Sequence, residues 1–326
     1  MKILKWVRNF FIVIFALIII AAGSGFIYEA VSESQDLKSY PAPGKIINVD
    51  GHDMHIYIEG QGTETVVFAA GWGIECPYVE YSPIYTKLSK YTRIAVYDRP
   101  GYGWSEVSNV SRDIDTVTKE LHKLLELSGE KPPYILVGHS MASLELIRFA
   151  QLYPKEVKGI VMMDAGNPDY YASQDTIQGE LSGNKLKAIL QKTGIMRLLF
   201  KNENFINSAY ASRNNFRLIL PQMIEMDKAL YLKNLTNKNK NNEIKHLYEN
   251  AKIVTGGSKL GNIPLRILTA EKSDTDDKIN AEWVKSQKDF MKWSQNSNME
   301  IVEKGNHYFY QFTPKTVVDT ILKISE

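Results

Sequence analysis

The sequence predicts an α/β fold, a mostly parallel sheet with helices on both faces and one helical insertion. Three observations carry that prediction. Short apolar runs alternate with stretches of helical spacing between residues 45 and 165, and β-type runs return after residue 262. The stretch between, 166–261, has helical spacing and no strand signal. Residues 133–143, P-Y-I-L-V-G-H-S-M-A-S, read as a buried strand, a sharp turn and the start of a helix, with Ser140 at the apex.

The chain opens on an apolar segment. Asn9 to Tyr28 carries no charge, Lys2, Lys5 and Arg8 precede it, and Glu29, Glu33 and Asp36 follow. A helix of about 20 residues spans roughly 30 Å, the thickness of the hydrocarbon core of a bilayer. The basic flank predicts a cytoplasmic N-terminus and a single-pass anchor over 1–28, with the remainder on the extracytoplasmic side of the cell membrane. The alternative is a cleaved signal peptide with small residues from Ala21 to Gly25, which would yield a secreted protein. The anchor is favoured because Phe26, Ile27 and Tyr28 carry the apolar run past those small residues. Residues 29–45, polar and ending near Pro41, Pro43 and Gly44, read as a linker.

The core follows, expected over 46–165 and 262–326. Lys45–Val49, His55–Glu59, Thr65–Ala70 and Arg93–Tyr97 read as strands, and Pro83–Tyr91 as a helix. Ile114, Val117, Leu121, Leu124 and Leu125 set out an amphipathic helix. The elbow strand, a helix over Ala142–Tyr153 and a strand over Val157–Met163 complete the first part. The insertion, 166–261, reads as a helical cap whose polar run Lys233–Asn242 is expected to be a solvated loop. Pro264–Thr269 and Met299–Val302 return as strands, and Pro314–Ile324 as the closing helix.

Composition narrows the function classes. Over 326 residues the net charge is +2, which gives no electrostatic case for nucleic acid. The one cysteine, Cys76, allows no intrachain disulfide and reads as a packing residue. Neither C-x-x-C nor H-E-x-x-H spacing occurs, so no metal or cofactor is expected.

Four landmarks stand in order: A-G-W-G at Ala70–Gly73, D-R-P-G-Y-G-W-S at Asp98–Ser105, G-H-S-M-A around Ser140, and G-N-H at Gly305–His307. Together they make residues 45–326 resemble the α/β-hydrolase superfamily, in particular its cap-bearing esterases and proline-iminopeptidase-like members. The resemblance implies an eight-stranded sheet and a triad in the chain order nucleophile, acid, histidine. Ser140 matches the nucleophile, with Ala142 where the elbow motif usually has glycine. His307 matches the general base; the neighbouring His139 is expected to face away from Ser140. The resemblance places the acid in the loop after the strand Pro264–Thr269, where Asp274 is the first choice and Glu271, Asp276 and Asp277 stay open. Asp164 also stays open, because some members take the acid from the end of that earlier strand. The oxyanion hole is expected from the backbone N–H groups of Met141 and Trp72. The Trp72 ring either lines an acyl pocket or packs under the cap. Asp98 and Arg99 are expected to be structural.

The implied activity is a serine hydrolase acting on a small-molecule ester or amide-type acyl substrate. The alternatives are an iminopeptidase-type aminopeptidase, a carbon–carbon bond hydrolase and an acyltransferase. An aminopeptidase would need cap acids such as Glu180, Glu225 or Asp227 to hold a substrate ammonium. A reading of another class is a catalytically silent, membrane-tethered binding protein on the same scaffold. Met223, Met226, Phe205 and Tyr210 are candidates for either pocket lining or cap core.

Overall fold

In a computed structural model, residues 2–173, 178–272 and 276–325 are described. All eight expected strands are present: β1 (Lys45–Val49), β2 (His52–Glu59), β3 (Thr65–Ala69), β4 (Arg93–Tyr97), β5 (Tyr134–His139), β6 (Val157–Met163), β7 (Leu265–Ala270) and β8 (Ser297–Val302). They form one sheet in the order β1-β2-β4-β3-β5-β6-β7-β8. β2 runs antiparallel to β1 and β4, and β4, β3, β5, β6, β7 and β8 pair in parallel. The central strands β3 and β5 are buried along their whole length, which is why they read as unbroken apolar runs. Apolar cores lie on both faces, one around Leu121, Ile147 and Trp293, the other around Tyr81, Tyr310 and Ile321.

The order places the carboxyl ends of β5, β6, β7 and β8 side by side, so the loops that follow them converge on one rim. Above that rim lies the insertion. Its helices include Gln178–Lys192, Ile195–Leu199, Glu203–Tyr210, Pro221–Asn234 and Lys238–Thr255. They enclose a third apolar cluster around Phe200, Tyr210, Phe216, Met223 and Leu230, with Phe205 and Met226 half-buried against it. All four residues weighed as pocket lining or cap core therefore belong to this cluster.

Two expectations are corrected. The run Lys233–Asn242 is no solvated loop: Asn234, Asn239 and Lys240 are buried in the seam between cap and core. Asn234 and Asn237 donate to the carbonyls of Gly103 and Gly101 at 2.8 and 2.7 Å, and Lys240 Nζ meets Glu75 at 2.7 Å. Side-chain amides suit that place because they satisfy the backbone of a buried glycine-rich turn. The stretch expected as a linker, 29–45, stays helical to Ser39 within one helix, Lys2–Ser39. Its charges have partners on the cap: Arg197 holds Glu29 at 2.8 Å and Asp36 at 2.6 Å. A further helix, Asp277–Phe290, was not expected; it follows β7.

Candidate active site

The elbow has the strain its motif implies. Ser140 has φ 53°, the left-handed region that a residue with a Cβ adopts only when its surroundings hold it there. The holding contacts are local. Ser140 O accepts from Gly166 N at 3.1 Å, and Ser143 Oγ donates back to Gly166 O at 2.5 Å, so the turn is clipped to the loop after β6. Gly138 leaves room for Leu146 of the helix that follows the elbow, and the Ala142 methyl sits beside it at ordinary contact distance. A Cβ built on Gly138 would lie 3.5 Å from the Ala142 methyl and only 2.6 Å from Leu146 Cδ1.

The loop after β3 lies against the elbow. A Cβ on Gly71 would meet Ser140 Cβ at 2.9 Å and His139 Nδ1 at 2.8 Å, so only glycine allows this approach. Ala70 O is held by Arg99 Nη1 at 2.6 Å, and Arg99 is in turn bound by Glu243 of the cap at 2.9 Å. Among the described residues, neither Trp72 N–H nor Met141 N–H has a protein acceptor, as oxyanion donors require. The Trp72 ring is pinned beneath the cap, its Nε1 donating to Lys240 O at 3.0 Å. Arg99 and Asp98 are structural as expected: Asp98 receives the Trp104 amide at 3.0 Å and pairs with His55 Nδ1 at 2.7 Å.

His307 sits after β8, and its Nδ1 lies 2.6 Å from Asp164 Oδ2. Asp164 is fully buried at the end of β6, with φ 43°. Its other oxygen accepts from Ala270 N at 2.9 Å and from Trp283 Nε1 at 3.0 Å. A carboxylate so supplied with donors is held in one orientation. Asp274, the first choice from sequence, lies outside the described residues. The other acids of that loop are engaged elsewhere. Asp276 caps the helix Asp277–Phe290, Asp277 meets Lys272 at 3.0 Å, and Glu271 accepts from Lys304 N at 2.7 Å.

Three functional contacts escaped the sequence reading. His139 is buried, and its Nε2 donates to His307 O at 2.9 Å. Burial, with the adjacent His307, holds its pKa well below the usual imidazole value, so it is a neutral donor that fixes the His307 backbone. Trp283 stands on the unexpected helix. Tyr171 follows β6, and its pKa is raised by burial, an effect that the Ser140 side chain partly offsets. No motif marks Trp283 or Tyr171, and the landmark around Ser140 that contains His139 does not disclose its contact with His307.

The cap acids are largely occupied. Asp227 is buried against Arg213 at 3.2 Å, with its pKa pushed up to about 6 by that burial, and Glu225 pairs with Lys228 at 2.6 Å. The Glu180 side chain lies outside those described. Among the described residues no cluster of three or more His, Cys, Asp or Glu forms a metal site.

Comparison with known proteins agrees with this architecture. The model of the alpha/beta hydrolase fold family matches residues 66–312. YbdG of Bacillus subtilis, described as an uncharacterized protein, is 34% identical over 337 residues, covering 99% of this chain and 96% of YbdG. A pimeloyl-[acyl-carrier protein] methyl ester esterase of Shewanella woodyi is 30% identical over 124 residues, covering 37% of this chain and 43% of the esterase. Among solved structures, a bromoperoxidase from Bacillus anthracis superposes with a TM-score of 0.63 at 18% identity, covering 86% of this chain and 98% of that one.

Proposed function

The chain belongs to the alpha/beta hydrolase fold family, and on that premise we propose that it is a membrane-tethered serine hydrolase of ester or amide-type acyl substrates. Ser140 is the nucleophile, His307 the general base and Asp164 the acid behind it. The observation that carries the reading is the 2.6 Å contact between His307 and Asp164 on the rim where Ser140 stands strained at the turn. That contact favours Asp164 over Asp274 as the acid.

The chemistry follows from these roles. His307 Nε2 takes the hydroxyl proton as Ser140 Oγ bonds to the substrate carbonyl carbon. The π pair moves onto the oxygen, which faces the Met141 and Trp72 N–H groups. Collapse expels the leaving group, protonated by the imidazolium, and leaves an acyl-Ser140. Water then repeats the sequence, with His307 again as base, and releases the acid. Asp164 holds the Nδ1–H tautomer and stabilises the imidazolium. The esterase named among the relatives agrees with acyl chemistry. An aminopeptidase is less well supported, since Asp227 and Glu225 already have partners.

The full chain in detergent, treated with a fluorophosphonate probe and assayed with short p-nitrophenyl esters, tests the reading. Labelling and turnover are expected in the wild type and neither in Ser140→Ala. Labelling that survives the substitution refutes the nucleophile. No labelling and no turnover in the wild type would favour a silent scaffold.

A further inference from the structure

The N-terminal helix does not simply tether the domain; it meets the cap inside its own apolar span. A Cβ on Gly25 would lie 2.2 Å from Thr193 O, so a glycine there is what lets the Thr193–Gly194 turn press against the helix. Gly194 packs by Tyr28, and Lys201 Nζ lies 5.5 Å above the Tyr28 ring. Arg197 then ties the next turn through Glu29 and Asp36, which fixes the cap on the helix. Gly25 lies about 4–5 Å nearer the middle of the span than Tyr28, at 1.5 Å per residue. An aromatic at the end of an apolar span stands at headgroup level.

The cap surface around that turn is apolar. Leu186 and Ile189 are each 59% exposed, and Leu198 is 54% exposed. They flank the turn, in the helices Gln178–Lys192 and Ile195–Leu199. Every charged residue from 181 to 201 is basic: Lys185, Lys187, Lys192, Arg197 and Lys201. Apolar side chains rimmed by lysines suit an interface lined with anionic headgroups, where the stems snorkel. The same helix roofs the site, since Lys187 Nζ lies 6.0 Å from the Trp72 ring.

From this geometry we propose that the cap face formed by Leu186, Ile189 and Leu198 lies in the near leaflet of the bilayer, and that the protein draws a lipid-dissolved acyl substrate from the membrane across that helix. The proposal rests on the membrane-tethered hydrolase reading and adds the substrate class. Continuity with the apolar span selects lipid as the occupant of this face.

The test uses the full chain in vesicles of four parts phosphatidylcholine to one part phosphatidylglycerol. Single cysteines at positions 18, 189, 198 and 315 carry an environment-sensitive fluorophore, the native Cys76 being buried. Nitroxide lipids should quench positions 18, 189 and 198 several-fold more than position 315, on the closing helix. Quenching at 18 but not at 189 and 198 overturns the proposal and leaves the anchor intact. Quenching at none of the three overturns the anchor itself. A triple variant, Leu186→Asp, Ile189→Asp and Leu198→Asp, should lose tenfold or more of its activity on a long-chain ester held in vesicles. Its turnover of a short soluble ester should stay within about twofold. Equal loss on both esters, or on neither, overturns the claim on substrate class. Cross-linking between two copies at position 189, without lipid quenching, would overturn lipid as the occupant.

Discussion

The loops that leave β6 and β7 both offer acids to the same rim, and they hold them in opposite ways. Asp164, at the end of β6, is fully buried, and among the described residues Ala270 N, Trp283 Nε1 and His307 Nδ1 all reach its carboxylate. After β7, Asp277 is exposed and paired with an exposed lysine, and Asp276 is spent as a helix cap. A buried carboxylate with several donors is pre-aimed, whereas a surface ion pair contributes little and yields to water. Asp164 is enclosed because the turn after β5 is clipped to the loop after β6 and the last residue of β7, Ala270, donates to its carboxylate.

Substitution at the two loops should therefore give unequal results. Asp164→Asn keeps the size of the side chain but removes the charge that sets the His307 tautomer. It should lower kcat by about 10⁴-fold, the scale of a lost triad carboxylate. Asp274→Asn should change kcat by less than about threefold. Steady-state kinetics on a short ester compares the two, and a larger loss at Asp274 would transfer the role to the β7 loop.

His139 sharpens the same contrast from the β5 side, because it fixes the backbone of the histidine that Asp164 orients. It is buried and neutral, with its folded pKa well below 6.5 chiefly through burial. The unfolded chain takes up that proton below about pH 6.5 while the folded chain does not, so stability falls as pH falls from that value. The cost grows as the pH falls further below that value, by up to about 1.4 kcal/mol per pH unit for one such group. His139→Gln keeps a donor for His307 O and removes the titration. Denaturant melts of both proteins at pH 8 and pH 5 should show the wild type losing more stability than the variant. Equal losses would mean that His139 is protonated in the fold.

What the sequence disclosed divides along the same physical lines. Ser140 and His307 were readable because strained turns and strand ends leave local signatures: small residues two before and two after the serine, a glycine two before the histidine. Their landmarks also stood in the expected order. Asp164 was readable only as an alternative, since the choice between two loops is made by packing across the sheet. The polar run Lys233–Asn242 looked solvated because nothing local distinguishes an amide facing water from one facing a buried carbonyl. Glu29–Ser39 looked like a linker for a similar reason: its acids find Arg197 some 160 residues away, with sequence separations of 168 and 161. The helix Asp277–Phe290 went unread because its exposed face is mostly charged and polar, and its buried residues include Asn280, Ser286 and Gln287.

That unread helix supplies the finest test of the two loops. Trp283 donates to Asp164 Oδ1 at 3.0 Å, so the helix that follows β7 supports the buried acid. Trp283→Phe keeps a ring of similar shape and deletes one N–H. The Ala270 amide still holds the same oxygen at 2.9 Å, so the carboxylate loses aim rather than burial. One hydrogen bond to a charged group, partly compensated, corresponds to about 1.4 kcal/mol, or roughly tenfold in rate. The loss should fall on kcat with KM within about twofold, because Asp164 acts through His307 and not on the substrate. A raised KM at unchanged kcat would instead make Trp283 a wall of the substrate pocket.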